Sequence, residues 1–172
     1  MHVRNLALIA ALVALPFAAL PSTAQAGTAP LGYQLMCLQH PEQCKGGGAA
    51  KVAATDTVMA TLVKVNSRIN RSMRPVADRS GADVWAATTG ASGDCEDFAM
   101  AKRRALIKAG LPASSLRLAY VKTARGEDHA VLVVKTSRGS LVLDNLTSKI
   151  KPLSQSGLRV ISMSGADPLQ WS

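Results

Sequence analysis

A chain of 172 residues with 48% apolar and only 3% aromatic residues has enough Ala, Val and Leu to bury one core, which excludes disorder along its whole length and leaves little for a second core. Its 20 Lys and Arg against 11 Asp and Glu give a net charge of +9, a balance that favours acidic partners or anionic surfaces. The bases are scattered and never interleaved with aromatics, so the charge does not describe a nucleic-acid binder.

The first segment reads as an address. Met1-His2-Val3-Arg4-Asn5 is a short cationic start, Leu6 to Leu20 an apolar run, and Pro21 to Ala26 ends in the Ala-x-Ala pattern of a signal-peptidase site. The run is broken by Pro16 and falls short of the ~20 residues a spanning helix needs. Residues 1–26 are therefore expected to be a cleaved export signal rather than a membrane anchor. Residues 27–172 would form a single domain, periplasmic or secreted, with no membrane span.

Cys37 and Cys44 flank His40-Pro41, where proline lets the chain turn back. In an oxidising compartment they are expected to form a disulfide stapling the start of the exported chain, stabilising it by ~2 kcal/mol. A metal pair completed by His40 is the rival, against which Cys-x6-Cys is not a usual zinc spacing. Cys95 is the odd thiol: either buried and inert or a reactive nucleophile.

Lys45-Gly46-Gly47-Gly48 reads as a flexible joint. From about Ala53 to Met73 the stripe Val58, Leu62, Val65, Ile69 and Met73 predicts an amphipathic helix that Pro75 ends. Ser80 to Trp85 and the small-residue run Ala86 to Gly93 read as loop. A second helix is expected from Asp94 or Cys95 to Ala109, with Gly110 as its left-handed stop, acids in its first turn and Lys102, Arg103, Arg104 and Lys108 in its second half. Strand-like runs follow at Leu116 to Lys122, His129 to Lys135 and Ser140 to Asn145.

The chemistry concentrates at Gly93-Asp94-Cys95-Glu96-Asp97. A thiol at a helix N-terminus is stabilised as thiolate by free N–H groups and the dipole, while the flanking carboxylates push the other way and call for a compensating imidazolium or cation. His129 opens one strand and Asp144 closes the next, so that Cys95, His129 and Asp144 supply a nucleophile, a base and an orienting carboxylate, the set needed for acyl transfer. His129 and Asp144 lie directly opposite only if the hairpin turn is centred between Thr136 and Ser137; a turn on Arg138-Gly139 would slide Asp144 opposite Val133. Six of the acids (Asp94, Glu96, Asp97, Glu127, Asp128, Asp144) are expected to gather at this one site.

Gly93-Asp94-Cys95-Glu96-Asp97-Phe98, His129-Ala130-Val131-Leu132 and Leu143-Asp144-Asn145 resemble the three signature blocks of the bacterial transglutaminase-like cysteine proteinases. The similarity extends to Val65-Asn66, Ile69-Asn70, Asp83-Val84-Trp85, the Cys37/Cys44 pair and Asp167-Pro168 with Trp171. It implies an α+β, papain-like and transglutaminase-like core, with the nucleophile at a helix N-terminus packed on an antiparallel sheet that carries the His and the Asp. It also implies a calcium-dependent periplasmic protease that clips large surface adhesins at di-alanine sites and releases cells from biofilm; the chain itself is expected to be a monomer. Carried over by position, Cys95 is the nucleophile, His129 the base, Asp144 the orienter, and Asp94 and Glu96 the calcium ligands. Phe98 stands where relatives often have Tyr, and the exported part is short.

Blander roles stand beside these. Asp94 and Glu96 suit a helix first turn without any ion. Asn145 rather than Asp144 could orient the imidazole. Trp85 could lend its indole N–H to an oxyanion hole beside the Cys95 amide, or simply pack in the interior. Asn70 reads as a helix-surface or capping residue. A transglutaminase-type acyl transferase would use the same three residues, and a catalytically silent calcium-responsive module would keep the acids and dispense with the thiol.

Overall fold

The computed structural model describes residues 27–78, 83–86 and 90–172. The expected export signal and parts of the loop before Cys95 lie outside those residues. Among them, no helix is long and apolar enough to cross a membrane.

In chain order the elements are α1 (Leu31–Gln39), α2 (Asp56–Ser72), β1 (Arg74–Pro75), β2 (Ser92–Gly93), α3 (Cys95–Lys108), β3 (Leu116–Lys122), β4 (Asp128–Thr136), β5 (Gly139–Leu143), β6 (Lys151–Pro152) and β7 (Arg159–Met163). The last five of these form one antiparallel sheet of order β6-β5-β4-β3-β7. The fold is thus α+β, as expected. One face of the sheet carries Leu116, Leu118, Leu132, Val134 and Leu143 against Leu62, Val65 and Ile69 of α2 and Phe98 to Ala101 of α3. The opposite face carries Ala119, Val121, Val131, Val133 and Val142 under Leu153, Leu158, Val160 and Met163.

Local chemistry sets the helix ends. α2 begins at Asp56, three residues later than the apolar stripe suggested, because the Thr55 side chain accepts from the Val58 amide at 3.2 Å and caps it there. α3 begins at Cys95, where the Asp94 side chain accepts from the Asp97 amide. It ends in a Schellman motif: Gly110, at φ +90°, donates to Ile107 O and Leu111 donates to Leu106 O.

Several expectations need correction. The Gly-rich joint is tethered rather than free, since Gly47 exchanges hydrogen bonds with Ser114 and Arg103 donates to Gln43 O at 2.6 Å and Lys45 O at 2.9 Å. Ser92-Gly93 is not loop but pairs in parallel with Arg74-Pro75. The β4–β5 hairpin turns at Ser137-Arg138, pairing Thr136 with Gly139 and Val133 with Val142. Neither register considered from the sequence is adopted. The disulfide is as expected: Cys37 and Cys44 are joined, with Cα atoms 5.6 Å apart.

Candidate active site

α3 presents Cys95 at its first residue, with the Ala130 amide of β4 against the thiol. Ala130 is the residue after His129 in β4, so the thiol is set against the same strand end from which His129 projects. The thiol itself donates to Glu96 Oε2 at 3.0 Å. Burial pushes it well above its ordinary range, with the Glu96 carboxylate adding to the effect and the Ala130 amide opposing it. Desolvation and the Glu96 carboxylate thus oppose thiolate, the push that the flanking acids were expected to exert against the helix N-terminus.

His129 and Asp144 meet. His129 Nε2 lies 2.8 Å from Asp144 Oδ1, both residues buried, at 5% and 8% exposure. In the observed register Asp144, one residue beyond β5, falls next to Val131 rather than His129. The two side chains nevertheless meet, diagonally rather than as a direct cross-strand pair. The turn between Thr136 and Ser137 that would have set them directly opposite is not the one adopted. Burial opposes ionisation of Asp144, but hydrogen bonds from His129 and the Leu146 amide, with the nearby charges of His129 and Lys102, hold the carboxyl below its usual range. A carboxylate fixed on Nε2 leaves Nδ1 as the imidazole's basic nitrogen. Asn145 does not take this role: its Oδ1 is buried without a hydrogen-bond partner.

Trp85 takes the interior of its two readings, and the oxyanion role is corrected. Its indole N–H is committed to Asp83 Oδ1 at 2.9 Å, and its ring packs edge-on against Tyr33 and Trp171. Tyr120, which the sequence did not single out, sets its hydroxyl, with one proton to donate, 3.1 Å from Glu96 Oε1 and 3.2 Å from Asp83 Oδ1. Burial and these two carboxylates push its phenol upward. Nothing marks such a tyrosine in a strand pattern, because its role depends on an acid 24 residues away in sequence.

The acids only partly converge. Asp94, Glu96 and Asp97 share the start of α3, and Asp97 Oδ1 accepts from the Ala86 amide at 2.8 Å. Asp128 joins Asp83, Glu96, Tyr120, Ile161 and Ser162 around a cleft of about 460 Å³. Glu127 is elsewhere, closing the β3–β4 turn with Thr123. Burial, then a hydrogen bond with Glu96 and its charge, raises Asp94 to about 7. Neighbouring carboxyl groups such as Asp94 and Glu96 are of the kind a hard cation takes together with carbonyls and water. Among the described residues no group of three or more His, Cys, Asp or Glu side chains is gathered to hold a metal.

The sequence profile of the bacterial transglutaminase-like cysteine proteinases matches residues 23–172. No curated protein matches the chain by sequence. Among solved structures, Legionella pneumophila LapG in a calcium-bound form is 30% identical with a TM-score of 0.57, over 63% of this chain and 66% of that one. LapG of the same organism after EGTA treatment is 32% identical with a TM-score of 0.53, over 62% of each chain. The match thus spans just under two thirds of those relatives. With a helix-borne cysteine set on an antiparallel sheet that carries a paired His and Asp, and a family profile covering nearly the whole of its described length, the chain belongs to the bacterial transglutaminase-like cysteine proteinases.

Proposed function

We propose that the protein is an exported cysteine peptidase in which Cys95 is the nucleophile, His129 its base and Asp144 the residue that orients the imidazole. The observation that carries this reading is the buried His129–Asp144 hydrogen bond of 2.8 Å at the strand end against which the Cys95 thiol is set. The thiol must first leave Glu96. His129 Nδ1 then takes its proton as sulfur attacks the substrate carbonyl, and the imidazolium returns that proton to the departing amine as the C–N bond breaks. Water, deprotonated by the same imidazole, hydrolyses the thioester and restores the thiol. The substrate would lie along the cleft walled by Asp83, Glu96, Tyr120, Asp128 and Ile161.

Calcium belongs to this reading as a bound group, on Asp94 and Glu96. It would supply positive charge beside two carboxylates that otherwise disfavour thiolate. The LapG structures, one calcium-bound and one EGTA-treated, support the same ion here. A protein substrate such as a large surface adhesin, cleaved at a di-alanine site outside the cytoplasm, follows from the family.

The test compares cell-surface and released proteins by mass spectrometry after treatment with the wild-type protein and its variants. Cys95→Ala and His129→Ala should each abolish cleavage, and Asp144→Asn should cost less, since an amide still holds the ring without stabilising imidazolium. Cleavage retained by Cys95→Ala would sink the cysteine mechanism.

A further inference from the structure

Asp144 lies just past the end of β5, where no ladder hydrogen bond fixes it. Its anchor comes from α2. Asn70 Nδ2 donates to the Asp144 carbonyl at 2.8 Å and to the Thr147 carbonyl at 3.2 Å. Asn66, fully buried one turn earlier, donates from Nδ2 to the carbonyls of Thr147 at 3.4 Å and Ser148 at 3.3 Å. Residues four apart face the same way on a helix, so the two amides grip one loop. Within that loop the Leu146 amide donates to Asp144 Oδ1 at 2.9 Å, the same oxygen that meets His129. The backbone of Asp144 is thus held from α2 and its carboxylate is aimed from within the loop.

These amides are poor choices if stability were the only demand. Asn66 Oδ1 and Asn70 Oδ1 are buried with no hydrogen-bond partner, and a buried acceptor left in that state is destabilising. Two donors are being spent on the loop next to Asp144 at the expense of two acceptors. We propose that Asn66 and Asn70 are positioning residues of the hydrolytic site, whose side-chain amides fix the 144–148 loop so that the Asp144 carboxylate meets His129. The assignment rests on the Cys95–His129–Asp144 reading above.

The experiment follows the rate at which iodoacetamide alkylates Cys95 as a function of pH, together with kcat and KM for proteolysis and the unfolding midpoint. Wild type is compared with Asn70→Leu, Asn70→Asp and Asn66→Leu, with Asp144→Ala as reference. Asn70→Asp keeps the shape but offers only acceptors to the Asp144 carbonyl. The expected result is that both Asn70 variants lower kcat roughly tenfold with KM changed less than about twofold, and move the alkylation profile toward that of Asp144→Ala. Asn66→Leu should do the same more weakly while its unfolding midpoint stays at or above wild type. A wild-type profile and kcat in variants that merely unfold earlier would overturn the positioning role. So would failure of both Asn70 variants to fold, because the role requires the fold to stand without the amide. If Asp144→Ala itself leaves the profile unmoved, the triad reading fails first; if it moves the profile and the Asn70 variants do not, only the clamp fails.

Discussion

Lys102 sits on α3 with 1% of its surface exposed, its ammonium 5.9 Å from the centre of the Phe98 ring. Burial lowers its pKa to about 7, opposed by the charge of Asp144. Between about 7 and the ordinary lysine value of 10.5 the unfolded chain binds a proton that the folded chain does not. Stability therefore rises with pH across that window, and the penalty is fully present below it. Lys102→Met should stabilise the protein by about 1–3 kcal/mol at pH 7 and flatten the rise in stability between pH 7 and pH 10, as read by urea denaturation at both values. The acids of the first turn make a second residue-scale case. A chelator should lower activity at least roughly tenfold and added calcium restore it, with magnesium a poor substitute because it demands a tighter octahedron. Asp94→Ala or Glu96→Ala should remove that response. Indifference of activity to chelator, with no calcium binding by calorimetry at millimolar concentration, would assign these acids to the helix dipole or to substrate.

At the scale of elements, α3 carries Cys95, the proposed nucleophile, and both of its ends are written in short-range chemistry. Asp94 caps the start and Gly110 closes the end in a left-handed conformation with open space around its α-carbon. Gly110→Ala meets no steric obstacle, so its cost is conformational alone: about 1 kcal/mol, or ~2–4 °C in the unfolding midpoint, with activity unchanged. A larger loss would mean that the β3 connection, not the cap, depends on this glycine. Gly93 is different, because a β-carbon there would collide with the Asp97 side chain that receives the Ala86 amide. The hairpin shows the limit of local signals. Both turns weighed from the sequence are plausible, yet Thr136 Oγ1 donates to Gly139 O at 2.7 Å and Gly139 takes φ +113°, which centres the turn between them.

Across the whole molecule both tryptophans and both tyrosines form one cluster, Tyr33 against Trp85 and Trp171 and Tyr120 against the same two rings. Tyr33 and Met36 of α1 are buried in it while Leu31, Leu35 and Leu38 are exposed. The disulfide therefore holds an element that is docked by one side only. Replacing Cys37 and Cys44 by serine should lower stability by about 2–3 kcal/mol and loosen Trp85, whose Asp83 partner also receives the Gly32 amide at 3.1 Å. The thiols should also differ chemically. Iodoacetamide should label native protein at the half-buried Cys95 alone, slowly at neutral pH because burial and Glu96 hold it as thiol, with Cys37 and Cys44 labelled only after reduction. Labelling of all three without reductant would show that the disulfide is absent in solution.

The α2 and α3 helices, the three central strands and the Cys37–Cys44 link were legible in the sequence because their determinants lie within a few residues: a stripe at helical spacing, a capping aspartate, a glycine stop, β-branched runs. Cys95, His129 and Asp144 stood out as candidates because few residue types can be nucleophile, base and orienter; the structure adds that Cys95 opens α3 and that His129 meets Asp144. α1 escaped notice since its apolar residues fall on both its sides, and β7 because an edge strand with half-buried residues has no clean alternation. The hairpin register, the commitment of the Trp85 indole to Asp83 and the reach of Tyr120 to Glu96 belong to tertiary structure. So does the grip of Asn66 and Asn70 on the loop after β5. Each is a contact between segments far apart along the chain, settled by which surfaces exclude water together, and a hydrogen bond of that kind leaves no period, cap or spacing in the sequence to read.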